Sequence, residues 1–138
     1  MVSEYRSLKD AEHILNVTLK NNRSYETIKS FLKNIAQFYD EVISEILSNV
    51  AEEIPNAPVK RALILKEKIG DNFISQRIDE YLKIRKALRA DFEVINEHRR
   101  NVEVVFHLKD GDFIVNPKTM KDLLTNAKEF LSKIKELQ

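Results

Sequence analysis

The chain has 138 residues and no cysteine, which fits one domain and removes disulfides, thiolate metal sites and cysteine nucleophiles together. A third of its residues are charged, yet the net charge is only +1, so there is no bulk electrostatic case for nucleic acid. The start, Met1 to Asp10, has no apolar signal-like stretch, and no apolar run approaches the roughly 20 residues that cross a bilayer; a cytoplasmic protein with no membrane segment is expected.

The first predicted helix runs from about Leu8 to Lys20, with Leu8, Ala11, Ile14, Leu15, Thr18 and Leu19 on one face and Ser7 and Asp10 as a capping pair. The second, Tyr25 to Val50, is capped by Ser24 and carries apolar residues at three- and four-residue spacing throughout. At 1.5 Å per residue it is on the order of 40 Å long. Phe31, Ile35, Phe38, Tyr39 and Val42 give it a broad apolar arc. That arc is wide enough to serve the core on one side and a partner on the other, so these five residues are the predicted interface of a homodimer or a protein partner.

Pro55 and Pro58 bracket the following loop. A short third helix, about Val59 to Ile69, ends at Gly70, and Asp71 or Asn72 caps a fourth. Ile74, Ile78, Tyr81, Leu82, Leu88, Phe92 and Ile95 extend the fourth to about Glu97. His98 and the pair Arg99-Arg100 then fall at its C-terminus, where cations suit the helix dipole and the last carbonyls. Its polar face carries Lys83, Arg85, Lys86 and Arg89. Together with Arg99 and Arg100, the residues Arg85, Lys86 and Arg89 form a candidate phosphate-binding ridge able to hold RNA weakly. The second helix, by contrast, is acidic, with Asp40, Glu41 and Glu45.

Val102, Val104, Phe106 and Leu108 alternate with Glu103, Val105, His107 and Lys109, which is the period of a half-buried strand. Asp110-Gly111 is a two-residue turn signal of the type I′ kind. That turn pairs Lys109 with Asp112, Leu108 with Phe113, His107 with Ile114 and Phe106 with Val115. Asn116-Pro117 opens the last helix, with Thr119 and Asp122 as a second capping choice, and its buried stripe is Met120, Leu123, Leu124, Ala127, Phe130, Leu131, Ile134 and Leu137. The expected fold is therefore mainly α: one domain over 1–138, a bundle of about five helices with one small β-hairpin between the fourth and last.

No metal or cofactor is expected. Asp10-x-x-His13 stands alone without the partner pairs a di-metal bundle needs, and the two glycines sit in no phosphate-loop fingerprint. Arg100, Asn101 and His107 are the one constellation with catalytic chemistry. An arginine offers a fork to a phosphate, and a histidine titrates near neutral pH. The run Arg100-Asn101-Val102-Glu103-Val104-Val105-Phe106-His107 resembles the motif of the HEPN superfamily, small helical-bundle domains whose ribonuclease members carry an Arg, an adjacent polar residue and a later His. The resemblance implies an RNA-directed protein in which Arg100 binds the scissile phosphate and His107 moves a proton. In that family the motif opens a helix, where positions seven apart share a face. Here the alternation favours a strand, on which 100 and 107 point to opposite faces. In layout the chain is also similar to small archaeal helical proteins of unassigned function, which carries no activity with it. The leading expectation is a non-enzymatic helical domain acting through self-association or a protein partner. The alternative is a HEPN-like ribonuclease or inactive nucleic-acid binder.

Overall fold

A computed structural model describes residues 5–50 and 53–137 of the chain. Helix α1 (Arg6–His13) continues through a π-helical stretch (Ile14–Thr18) into a last α turn (Leu19–Asn21). Then come α2 (Tyr25–Val50), α3 (Pro58–Ile69), α4 (Asn72–Ala87), strands β1 (Asp91–Ile95), β2 (Glu103–Leu108) and β3 (Gly111–Val115), and α5 (Pro117–Leu137). The fold is mainly helical with a small antiparallel sheet of three strands, in the order β1-β2-β3. Among the described residues no helix is long and apolar enough to cross a membrane.

Helix α2 is the axis of the molecule, and α1, α3, α4 and α5 all pack on it. This explains its broad apolar arc and corrects the predicted interface. Phe31, Ile35, Phe38, Tyr39 and Val42 are each 0 % exposed within the single chain. An arc that wide is covered by four neighbouring helices, so these five side chains are core and present nothing to a partner. Burying each one contributes about 1.5–3 kcal/mol, which makes α2 the largest single source of hydrophobic stabilisation.

The acidic face of α2 is also used internally. The Tyr5 hydroxyl donates to Glu45, the Ser7 hydroxyl donates to Glu41 Oε1 at 3.0 Å, and Asp40 binds both Tyr81 and Arg85. Ser7 thus lies inside α1 and ties it to α2; it does not cap. The N-cap residue is Tyr5, which makes no side-chain capping bond. Elsewhere the expected caps form. Ser24 Oγ accepts the Thr27 N–H, Asp71 Oδ1 accepts the Ile74 N–H at 3.0 Å, and Gly70 closes α3 at φ 62. Asn116 and Thr119 cap α5 reciprocally, each side chain accepting the other's N–H.

The fourth helix stops at Ala87, ten residues before the expected end near Glu97. Asp91 to Ile95 instead add a third strand to the sheet. The local sequence Asp91-Phe92-Glu93-Val94 alternates as well as it fits a helix, and the adjoining β2 offers it a full antiparallel ladder from Asp91↔His107 to Ile95↔Glu103. Pairing with a strong neighbouring strand outweighs a helical spacing carried by two residues, Phe92 and Ile95. His98, Arg99 and Arg100 consequently stand in the β1–β2 loop and cap no helix.

The hairpin register is shifted by two from the expected one. Leu108 pairs with Gly111, His107 with Asp112 and Phe106 with Phe113. Lys109 and Asp110 make the turn. Neither has the positive φ that a type I′ turn requires, and Gly111 takes it at φ 129. A shift of two keeps every side chain on its face, so Val104, Phe106 and Val115 still point into the core. It also moves His107 from Ile114 to Asp112, which matters for the site.

Candidate functional site

Helix α4 ends at the hairpin tip, and there its basic ridge meets the sheet. A cleft of about 610 Å³ is lined by Lys86, Arg89, Ala90, His107, Leu108, Lys109 and Asp110. A second cleft shares Lys86 and Arg89 and is closed by Arg85, Leu82 and the start of α3 at Ala57, Pro58 and Val59. Lys86 also lines a third recess with Lys83 and Asp79. The exposed Lys86 therefore lines all three depressions, and the exposed Arg89 lines two of them.

The cations differ in how their charge is used. Arg85 Nη1 donates to Asp40 Oδ2 at 3.0 Å, and its guanidinium lies 5.8 Å from the Tyr81 ring centroid. Lys83 lies 5.8 Å from the Phe113 ring centroid. Lys86, Arg89 and Lys109 have no carboxylate within ion-pair distance among the described residues; the ion pairs of this region are those of Arg85, Lys66 and His107. One carboxylate, Asp110, does line the cleft at the turn. The first turn of α3 beside Arg85 and Lys86 begins at Ala57, which makes no side-chain cap, so its free amides add a partial positive charge to the same wall.

His107 is set among carboxylates. Its Nδ1 lies 3.0 Å from Asp112 Oδ1, its Nε2 lies 3.7 Å from Glu93 Oε2, and Asp91 pairs with it across β1. The hydrogen bond to Asp112 raises its pKa above the ordinary histidine value, and the charges of Asp112, Glu93 and Asp91 push the same way. The corrected register creates this row, Asp91, His107 and Asp112, across the outer face of the sheet.

Arg100 and Asn101 are not brought to His107. They lie exposed in the β1–β2 loop, while His107 sits four strand positions beyond Glu103 near the opposite end of β2. At about 3.3 Å per strand residue, that stretch alone separates them by roughly 13 Å. Arg99 is in the same loop, so the predicted ridge divides into two groups: Arg85, Lys86 and Arg89 at the cleft, Arg99 and Arg100 at the far end of the sheet. His13 is exposed at the end of α1, and Asp10 pairs with Arg6 at 3.9 Å. Among the described residues no group of three or more His, Asp or Glu side chains is placed to hold a metal ion.

Sequence reasoning missed Lys109 and the α3 start as parts of the cleft. Lys109 looked like a strand-end partner of Asp112, and only the true turn frees it. Nothing in the sequence places Pro58 beside Arg85. No protein-family model, no curated protein and no solved structure matches this chain.

Proposed function

We propose that this chain is a non-enzymatic, RNA-directed binding domain whose phosphate contacts are Lys86, Arg89 and Lys109. The observation that carries the reading is the gathering of these three exposed cations, without a carboxylate partner among the described residues, around one cleft in a chain whose net charge is only +1. Cations without internal partners lose no ion pair when a phosphate arrives, and they release counterions from it. A binding role is preferred to a nuclease role because Arg100 and His107 lie at different ends of β2, with no shared side from which to address one phosphate.

Self-association, the leading expectation from sequence, no longer has the α2 surface that motivated it. Exposed apolar side chains remain elsewhere, among them Val59 and Leu63 on α3, and Ile95 and Ile114 beside Val105 on the outer sheet face. Asp91, Glu93, Glu103 and Asp112 share that face, so two copies would repel there.

The test incubates the pure protein with a mixed RNA pool beside the variants Lys86→Ala/Arg89→Ala, Arg100→Ala and His107→Ala. The reading expects retention of RNA at low salt, lost in the double variant, and no cleavage. Cleavage by the wild type that disappears in both single variants would overturn it in favour of the nuclease.

A further inference from the structure

Strand β1 leads directly out of the cleft, since Ala90 lines the cleft and β1 begins at the next residue. It is an edge strand, and its second residue, Phe92, is 41 % exposed. The Phe92 ring lies flat on Tyr25, with centroids 3.9 Å apart and planes 6° from parallel. The Lys29 ammonium lies 5.8 Å from the Tyr25 ring centroid. At the far end of β1 the loop to β2 presents Arg99 and Arg100 to solvent. This loop is held in a costly shape: Asn96 and His98 both have positive φ, 55 and 71, without being glycine. Two contacts fix it to the start of α2. Glu97 Oε2 accepts the Tyr25 N–H at 3.0 Å, and the His98 N–H donates to the Arg23 carbonyl at 2.7 Å. These contacts hold the loop that carries the arginine pair against the start of α2, beside the stacked rings.

We infer that the cleft's ligand is a single-stranded nucleic acid that continues along β1, placing bases against the Phe92–Tyr25 stack and phosphates on Arg99 and Arg100. The inference rests on the reading of the cleft as a phosphate site. Cations interleaved with an exposed aromatic stack suit a single strand, whose base faces are free; a duplex hides them. Five strand residues span roughly 17 Å, the reach of a few nucleotides, so cleft and loop fall within one short site. The outer sheet face beside the track carries Asp91, Glu93 and Asp112, which repel phosphate and confine the strand to the edge.

The experiment measures anisotropy of a labelled RNA of about 12 nucleotides, single-stranded and as its duplex, at low salt with the full chain. It compares the wild type with Phe92→Leu, Arg99→Ala/Arg100→Ala and Lys86→Ala/Arg89→Ala, with a melting curve for each. The expected result is single-strand binding about tenfold or more tighter than duplex, weakened about tenfold by Phe92→Leu and weakened also by the loop arginine variant. Should Phe92→Leu fail to fold, cross-linking of a 4-thiouridine RNA to the wild type replaces it, and the expected adduct is on Phe92 or Tyr25. Equal affinity for duplex, or full binding by Phe92→Leu and the loop variant while the cleft variant is impaired, overturns the track and leaves the cleft reading standing. Full binding by the cleft variant overturns both.

Discussion

Arg85 and Asp40 are joined at 3.0 Å, and the same Asp40 carboxylate accepts the Tyr81 hydroxyl, while Lys86, the very next residue, has no such partner among the described residues. Two adjacent cations on one helix thus have different roles: Arg85 fastens α4 to α2, and Lys86 faces the cleft. Arg85→Ala is expected to lower stability by about 1–2 kcal/mol, because it leaves a half-buried carboxylate with one partner fewer. Lys86→Ala is expected to leave stability within about 0.5 kcal/mol and to weaken RNA binding. Denaturant titrations of both variants check the split; equal stability losses would contradict it.

Phe38 separates core from interface. Its ring is fully buried, edge-on to Tyr5 with centroids 5.5 Å apart. Phe38→Glu should abolish cooperative folding, since it removes a large buried ring, worth about 3–5 kcal/mol, and buries an unpaired carboxylate. Circular dichroism with light scattering decides. A variant that stays folded and merely dissociates would restore the interface first expected for α2.

Much of the fold was legible in the sequence, and the failures have physical causes. Helix α2 follows from Tyr25 to Val50 because its spacing never breaks and Ser24 supplies a cap. Gly70, Asp71 and Asn116 mark their boundaries for reasons readable from residue type: Gly70 takes the left-handed conformation that ends a helix, and the Asp71 and Asn116 side chains accept free first-turn amides. Strand β1 was hidden because Leu88, Arg89 and Ala90 contain no turn residue, so the helical spacing of Phe92 and Ile95 reads straight through the bend. The loop at Asn96 and His98 was equally hidden, since positive φ there is not announced by glycine and the contacts with Tyr25 and Arg23 that accompany it are long-range. At the site, the basic face of α4 was readable as charge. The turn that adds Lys109 and the ion pair that removes Arg85 depend on tertiary placement.

Tyr39 is fully buried, and its hydroxyl has no hydrogen-bond partner among the described residues. Burial pushes its pKa well above the ordinary tyrosine value, with the nearby Glu80 charge adding to the effect. An unpartnered hydroxyl in the core is a cost that Phe does not carry, so Tyr39→Phe is expected to stabilise by about 1 kcal/mol. A thermal melt that falls by several degrees would show that the hydroxyl is bonded.

His107 should titrate above its ordinary value of 6.5. Because the folded pKa is raised, its contribution to stability is fully present below the unfolded pKa and is lost as pH rises through the folded one. Asp112→Asn removes the largest cause and should move the titration back toward 6.5. Proton NMR of the imidazole follows both; an unshifted wild-type titration would contradict the carboxylate row.

Phosphate contacts by Lys86 and Arg89, as proposed, would set how RNA binding depends on salt. Affinity for a single-stranded RNA, measured from about 50 to 200 mM salt, gives a log–log slope that falls by about 0.7 for each phosphate contact removed. Lys86→Ala/Arg89→Ala should reduce the slope by about 1.4. Lys68→Ala/Lys135→Ala, which changes net charge equally at two exposed residues outside the clefts, should leave it nearly unchanged. Equal slope changes in both double variants, or none in the first, would rule out phosphate contacts at Lys86 and Arg89.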